Sequence, residues 1–369
     1  MTAEIKRFYF KKSNLKHIIY AEIFKKDMVK KMIEKFRGPE YIMHRYEGNP
    51  LITVEDFPIP SHAVYNCGQT MYNGKTVLLI AAFYKERKAN GSMTGIHVAM
   101  SDDGIHFEIN PEPLCDKRNW AGECPGNYDC WVIDPRITKI DDTYYIVRPA
   151  QVAAGGPAAV LEKTKDFKTV EFVECISMPS NRVPCLFPEK INGQYVRLDR
   201  PYNLVELEDK GGHCNDDKLV AGIWISYSPD MVYWGKHRPL LYPPLSYANY
   251  KVGPTPPIKT KDGWLEIIHG VYKENREFCY SIGAMLLDLN DPSKIIGVAE
   301  DCILTPNEPY EVKGMVDNVV FACGAIADEE TDTIRIYYGA ADTCIGLATG
   351  SLSELIDACK KGFTYSENV

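Results

Sequence analysis

The sequence lacks long apolar segments. It has 369 residues, and no apolar run in it approaches the length of about 18 residues that a membrane-spanning helix requires. Its first residues, Met1–Arg7, contain no apolar core of the kind found in a secretory leader. We therefore expect neither contact with a membrane nor a signal peptide.

A disulfide framework and an excess of positive charge are missing as well. The 12 cysteines show no repeated CxxC spacing, which is typical of buried thiols in a reducing compartment. The net charge of −8 argues against nucleic acid as the main partner, because binding to a phosphate backbone needs a broad basic face. We predict a cytoplasmic protein. A small anion needs only a local basic cluster and stays compatible with this charge.

One long helix is predicted, over residues 14–37. Asn14 is a favourable N-cap, and Gly38-Pro39 makes a C-terminal stop. Apolar residues fall on one stripe at helical spacing, while the opposite face is rich in lysine and is expected to face solvent. The stripe must be covered by the main domain or by a second subunit, and we expect a homo-oligomer.

A repeated pattern of a polar turn followed by an apolar strand occupies the rest of the chain. Its turns are spaced by roughly 50 to 70 residues. The five copies begin at Tyr72-Asn73-Gly74, Asp141-Asp142, Asn192-Gly193, Lys261-Asp262-Gly263 and Thr331-Asp332. A second pattern lies between them, at Ser101–Phe107, Thr164–Phe167 and Ser228–Trp234, with starts 63 and 64 residues apart.

A hairpin and a second turn-and-strand unit, repeated five times, predict an all-β, five-bladed β-propeller. A two-sheet sandwich with chance resemblance among its turns is the alternative. The predicted organisation is an N-terminal helical extension over 1–44, the propeller over 45–350 and a short C-terminal helix within 351–369.

The run Asp134-Pro135-Arg136 stands directly ahead of the second hairpin. Pro135 should push Asp134 toward an extended conformation, which would hold its carboxylate in place. A turn or capping role is the alternative for such an aspartate. In a propeller the innermost strands begin near the axis, so the residues ahead of the five hairpins should converge on one pocket. They include Asn66, Asp134, Arg136, Arg182, Glu189, Lys251 and Asp317-Asn318, with Arg200, His269, Tyr280 and Asp342 at strand ends.

A series of short runs stands out across the five repeats. The runs are Leu186–Tyr195 with Arg200-Pro201, Pro256-Pro257-Ile258, Gly263-Trp264-Leu265, His269-Gly270, Gly283-Ala284, Leu286–Leu289, Pro292-Ser293-Lys294, Asn318–Phe321 and Tyr337–Asp342. They resemble those of glycoside hydrolase family 130, the β-mannoside phosphorylases and their hydrolytic relatives. The resemblance covers about residues 48–350 in the family's order, and the family's fold is a five-bladed β-propeller.

The resemblance implies roles for matching positions. Asp134 matches the family's single catalytic acid, which is thought to act through a sugar hydroxyl. Inorganic phosphate is implied to bind Arg182, Arg200, Lys251, His269 and Tyr280. Asn66 and Asp342 fall where the family contacts the sugar or orders the site, and we add Arg136 and Glu189 as candidates for substrate binding.

The resemblance implies inverting phosphorolysis of a β-mannoside, with α-mannose 1-phosphate as the product, and the candidate residues suit that chemistry. Phosphate is an ionised nucleophile, so this reaction needs one acid and a cationic cradle, without a metal or an organic cofactor. Hydrolysis instead needs a second carboxylate about 6.5–9.5 Å from the acid, and Glu189 and Asp342 are the candidates. A non-catalytic sugar-binding propeller is the third alternative.

Overall fold

The computed structural model describes residues 42–116, 132–152, 156–201, 221–274 and 277–363. The helix predicted over 14–37 lies outside these residues. The described part consists of five antiparallel sheets of four or five strands, each built from neighbouring segments of the chain except for one strand of the fifth sheet. This arrangement confirms the five-bladed β-propeller, and the two-sheet sandwich is wrong.

The strands follow one another blade by blade. Strand β1 (His44–Arg45) comes first in the chain but belongs to the fifth blade. Blades 1 and 2 contain β2 (Ser61–Tyr72), β3 (Lys75–Tyr84), β4 (Thr94–Ser101) and β5 (Glu108–Cys115), then β6 (Arg136–Ile140), β7 (Thr143–Val152), β8 (Gly156–Thr164) and β9 (Glu171–Cys175). Blade 3 contains β10 (Cys185–Leu186), β11 (Tyr195–Asp199), β12 (Ile223–Ser228) and β13 (Gly235–Leu241).

Blades 4 and 5 have split inner strands. Blade 4 contains β14 (Lys251–Gly253), β15 (Ile258–Thr260), β16 (Gly263–Glu274), β17 (Glu277–Leu287) and β18 (Ile295–Val298). Helix α1 (Pro309–Val312) follows, and then blade 5 with β19 (Val320–Ala322), β20 (Ile326–Asp328), β21 (Thr333–Ala340) and β22 (Cys344–Ser351). Helix α2 (Leu352–Lys361) follows β22.

All five predicted turns join the strands as expected. Asn73, Asp141, Asn192 and Asp332 have φ between 49° and 54° in these turns. Asn and Asp tolerate this left-handed conformation better than most residues, because their short side chains can hydrogen-bond locally. The polar residues of the repeat therefore have a conformational reason to recur.

The second repeat forms one type of loop in three blades. In each copy a hydroxyl oxygen accepts an N–H three residues on, and an aspartate oxygen accepts two further N–H groups. The hydroxyls are those of Ser101, Thr164 and Ser228, and the aspartates are Asp103, Asp166 and Asp230. These loops connect the third and fourth strands of blades 1, 2 and 3.

Apolar side chains fill the space between neighbouring blades. Val77 and Leu79 of blade 1 pack with Ile137 and Ile146 of blade 2, and similar clusters join blades 2 and 3, 4 and 5, and 5 and 1. The nine cysteines of the described residues are free, and all except Cys175 are buried. This confirms, for these residues, the prediction of buried thiols.

The ring is closed in the fifth blade by strands from both ends of the described chain. His44 and Arg45 of β1 pair with Thr349 and Ala348 of β22. Arg45 also donates from Nε and Nη2 to the two carboxylate oxygens of the buried Glu311, at 2.8 Å each. Neither helix among the described residues is long and apolar enough to cross a membrane.

Candidate active site

One pocket lies where the five blades converge. Its volume is about 280 Å³. Seven of the ten residues predicted for the site line it, namely Asn66, Asp134, Arg182, Arg200, Lys251, Tyr280 and Asp342, together with the apolar Val183, Val316, Val319 and Phe321. Every blade contributes at least one side chain, so the pocket exists only in the closed ring.

The carboxylate of Asp134 lines this pocket and is held by neighbouring side chains. Asn66 Nδ2 donates to Asp134 Oδ1 at 2.8 Å, and Arg182 Nε lies 3.5 Å from Asp134 Oδ2. Arg136 Nη1 donates to the backbone oxygen of Asp134 at 2.6 Å. Asp134 is only 1% exposed, so these contacts and not solvent set the orientation of its carboxyl group.

The expected extended backbone at Asp134 is wrong. Its φ is +50°, in the left-handed region, although a proline follows it. The hydrogen bonds from Asn66 and Arg136 offset the cost of this conformation, which is on the order of 1–3 kcal/mol for a non-glycine residue. Asp134 is held in place, but by tertiary contacts and not by Pro135.

Asn66 reaches Asp134 from an irregular point of strand β2. The register between β2 and β3 shifts between Tyr65 and Cys67, and Asn66 has φ +47°. A side chain at position 339 would overlap Asn66 Oδ1, so Gly339 of blade 5 leaves the space that Asn66 occupies. The pair of Asn66 and Asp134 thus depends on a close approach of three blades.

The cationic side chains of the pocket come from blades 3 and 4. Arg182 is 31% exposed at the pocket, whereas Arg200 and Lys251 are buried. Lys251 Nζ donates to the hydroxyl of Tyr280 at 2.7 Å. Of the described residues that line the pocket, three are cations and two, Asp134 and Asp342, are carboxylic acids.

His269 lies directly behind Arg200. Arg200 Nη1 is 3.4 Å from His269 Nε2, and His269 is 1% exposed. Burial and then the neighbouring Arg200, Arg136, Lys251 and Arg182 hold the pKa of His269 well below its usual range. A neutral imidazole can accept a hydrogen bond from Arg200, so His269 orients this arginine from behind and does not line the pocket.

Asp342 lines the same pocket as the cations. Burial and the nearby Asp134 raise its pKa to about 6, while Arg182, a hydrogen bond with Asn66 and Lys251 oppose the rise. Ala341 and Asp342 both have positive φ at the end of β21, which aims the carboxyl group at the axis. Asp342 is therefore the second titratable acid of the site.

Two predicted substrate contacts lie elsewhere. Glu189 is half-exposed and forms an ion pair of 2.7 Å with Lys259. It lies away from the pocket because the inner strand β10 ends at Leu186, and the chain then runs toward the turn at Asn192. Arg136 is 1% exposed and packs behind the pocket, with its guanidinium carbon 5.7 Å from the centre of the Phe321 ring. Neither is among the described residues that line the pocket.

The apolar wall was not predicted. Val183, Val316, Val319 and Phe321 line the pocket, and three of them, Val183, Val319 and Phe321, form one apolar cluster. Val319 and Phe321 belong to the family run Asn318–Phe321, which marks this segment, but their alternating strand pattern is also that of ordinary core and did not single them out as site residues. A pocket lined by both apolar and charged groups suits a sugar ring, whose C–H face is apolar and whose hydroxyl groups form hydrogen bonds.

Fold and site together define a propeller enzyme of the type that processes glycosidic bonds, with two carboxylic acids and three cations among the described residues of the pocket at its hub. More specifically, the chain belongs to glycoside hydrolase family 130. The family model described as beta-1,4-mannooligosaccharide phosphorylase matches residues 29–361.

Related proteins agree with this assignment. The chain is 33% identical over 320 residues to a beta-1,4-mannooligosaccharide phosphorylase of Ruminococcus albus, covering 86% of this chain and 91% of the relative. It is 34% identical to a beta-1,2-mannobiose phosphorylase of Listeria innocua, covering 85% of this chain and 97% of the relative. A solved structure of the Listeria innocua beta-1,2-mannobiose phosphorylase with beta-1,2-mannobiose matches with a TM-score of 0.72 at 32% identity, covering 86% of this chain and 99% of that one.

Proposed function

We propose that this protein is an inverting phosphorylase that cleaves a β-mannoside with inorganic phosphate and releases α-mannose 1-phosphate. The observation that carries the proposal is the pocket at the hub, where Asp134 lies beside Arg182 and shares the cavity with Arg200, Lys251 and Tyr280. The names of the related proteins support the same reaction class.

Asp134 is the acid in this proposal. Cleavage of a glycosidic bond requires a proton for the departing oxygen, and a positioned carboxyl group supplies it, here through a hydroxyl group of the sugar as the family resemblance implies. The hydrogen bond from Asn66 and the contact with Arg182 orient the carboxyl group in the pocket.

Phosphate is the nucleophile and needs no activating base. Arginine and lysine bind phosphate oxygens through charge-assisted hydrogen bonds, and the hydroxyl of Tyr280 adds a neutral donor. The described lining carries three cations against two carboxylic acids, so an added anion relieves the excess positive charge of a partly buried site. The C–H face of the sugar packs on Val183, Val319 and Phe321.

Hydrolysis is the second candidate, and Asp342 is the observation that favours it. An inverting hydrolase needs a second carboxylate as a base, and Asp342 lines the same pocket as Asp134 with a pKa raised to about 6. Glu189 does not line this pocket and instead pairs with Lys259 at the surface. The cationic set, which water does not require, favours phosphorolysis.

The deciding experiment uses phosphate as its variable. Purified protein is incubated with β-1,4-mannobiose or β-1,2-mannobiose, with and without phosphate, and the products are followed by proton and phosphorus NMR. We expect α-mannose 1-phosphate and no turnover without phosphate. Release of mannose at equal rates in both conditions would establish the hydrolase, and binding without cleavage would establish a sugar-binding propeller.

The remaining features of the proposal concern the setting of the enzyme. The substrates are a sugar and phosphate, with no metal or organic cofactor, and the protein acts in the cytoplasm.

Self-association through the apolar stripe of residues 14–37 gives a homo-oligomer, although this stripe lies outside the described residues. Light scattering of the purified full chain measures the subunit count, and a monomer would contradict the oligomer.

A further inference from the structure

The side chains that line the hub pocket differ widely in their exposure to solvent. Asp134 is 1% exposed, Val319 3% and Phe321 7%, whereas Val316 is 40% exposed. Of the described residues that line the pocket, Val316 is the most exposed. Buried lining belongs to the closed part of a pocket and exposed lining to the place where it meets solvent, so Val316 stands at the mouth.

A second exposed apolar side chain lies next to Val316 in the chain. Met315 is 52% exposed, and both residues belong to the connection between helix α1 and strand β19. We call residues 313–318 the rim loop. Seven large apolar side chains are exposed in the described part of the chain, and these two are the only consecutive ones. Single exposed apolar residues are ordinary, but an adjacent pair at the mouth of a pocket marks a surface for a ligand.

The rim loop is fastened to the part of blade 5 that carries the second acid of the site. The backbone N–H of Met315 donates to Thr343 Oγ1 at 3.0 Å, and that of Val316 donates to the backbone oxygen of Ala341 at 3.1 Å. Ala341 and Thr343 are the neighbours of Asp342 in the chain. The two apolar side chains are therefore held in a fixed position relative to the pocket.

Apolar contact is what this pair offers to a ligand. The side chains of Met315 and Val316 carry no hydrogen-bond donor, and their backbone N–H groups are already bonded. Lys313 and Asp317, on either side of them, form an ion pair of 2.6 Å with each other. A hydroxyl group placed against the pair would lose its water without gaining a partner. An apolar face gains by leaving water, and an aromatic ring also gains from contact with the sulfur of Met315.

We propose that the rim loop selects the leaving group of the reaction and favours one with an apolar face, such as an aromatic ring. The inference rests on the proposed function. The transferred mannose unit occupies the buried part of the pocket beside Asp134, so the group on the other side of the cleaved bond extends through the mouth. There it packs against Val316 and Met315.

The test compares benzyl β-mannoside with methyl β-mannoside. Benzyl alcohol and methanol are of similar acidity, so the chemistry of bond cleavage is matched and the ratio of the two kcat/KM values reports contact with the leaving group. In each reaction a phosphate oxygen bonds to C1, the bond from C1 to the alcohol oxygen breaks, and that oxygen takes a proton that phosphate replaces. Phosphorus NMR follows the mannose 1-phosphate formed.

We expect the wild type to favour the benzyl substrate by about tenfold in kcat/KM. Met315→Gln and Val316→Thr, which keep the size of each side chain and make it polar, should each lower this ratio by about three- to fivefold through a higher KM for the benzyl substrate. Met315→Leu should keep the wild-type ratio. Met178→Gln is the matched control, because Met178 is an 82% exposed methionine outside the described lining of the hub pocket.

A wild-type ratio near one, or a ratio that neither polar variant changes, would overturn the proposal while phosphorolysis of mannobiose leaves the proposed function standing. Equal losses for both substrates would also overturn it, since the loop would then only support the pocket. Light scattering of each variant adds a further check, because a changed subunit count would make the rim loop an interface between copies and overturn the proposal.

If the wild type phosphorolyses no mannoside, the proposed function fails and calorimetry decides about the rim loop. Tighter binding of benzyl than of methyl β-mannoside, with the difference reduced in Met315→Gln, supports the apolar contact. Equal binding of the two, or none, overturns it. Thermal unfolding of each variant shows that a loss does not come from misfolding.

Discussion

Asn66 and Asp134 are 68 positions apart in the chain, yet the amide of one donates to the carboxylate of the other at 2.8 Å inside the protein. They belong to different blades, and both have a left-handed backbone. The acid of the site is thus positioned by a neighbouring blade, and four predictions test this site.

Replacing Asn66 with alanine should lower kcat by about 10- to 100-fold, because a hydrogen bond to a charged group contributes on the order of 1.5–3 kcal/mol. Steady-state kinetics with saturating phosphate measures the effect. Asn249→Ala, at a surface position whose amide bonds Lys273, is the control. A variant with wild-type kcat would show that Asn66 does not position the acid.

The Asp134→Asn variant should lose at least about 10²-fold in turnover, the usual scale for a general acid. Its thermal unfolding and its binding of mannobiose by calorimetry should show that the pocket is intact. Asp357→Asn, on the exposed side of helix α2, should retain full activity. Near-normal turnover of the Asp134 variant would assign the acid to another residue.

Arg182→Gln should raise the KM for phosphate by about tenfold or more, with a smaller effect on the KM for the sugar, because it removes a charge-assisted contact. Phosphate at about 100 times its Kd should raise the free energy of unfolding of the wild type by about 2.7 kcal/mol. The variant should need more phosphate to reach the same increase, in proportion to its higher Kd. Arg238→Gln, at an exposed arginine, serves as the control. An unchanged phosphate response would remove Arg182 from the anion site.

Asp342 should make the folded protein less stable as the pH rises. Its pKa is about 6 in the folded protein and near 3.8 when unfolded, so the folded state holds the proton more tightly. Its contribution is fully present below about pH 4 and is lost as the pH passes about 6. Asp342→Asn should therefore flatten the pH dependence of the free energy of unfolding in this window, as measured with urea, whereas Asp357→Asn should not. Parallel curves for wild type and Asp342→Asn would refute the raised pKa.

The blade count and most of the hub were predictable because both follow from local patterns. Each hairpin needs a turn with positive φ, which Asn192-Gly193 and Asp141 supply, and the residues ahead of inner strands must then meet at the axis. The buried acid Asp134 was found in this way. The family resemblance supplied the roles of Arg182 and Lys251, which sequence spacing alone does not assign.

The predictions for the backbone of Asp134 and for the position of Glu189 differ from the structure for the same reason, which is that tertiary contacts decided both. The preference that Pro135 imposes on Asp134 was overridden by hydrogen bonds from Asn66 and Arg136. Glu189 was misplaced because the inner strand of blade 3 is only two residues long and ends ahead of it. The sequence gives the order of such segments but not the direction in which each side chain points.

The pairing of His44 with Thr349 has a consequence for biosynthesis. A chain still attached to the ribosome cannot seal the ring until its last hairpin has been translated, and contacts of such sequence separation form slowly. Since all five blades contribute residues to the pocket, the pocket is complete only after the last blade has folded.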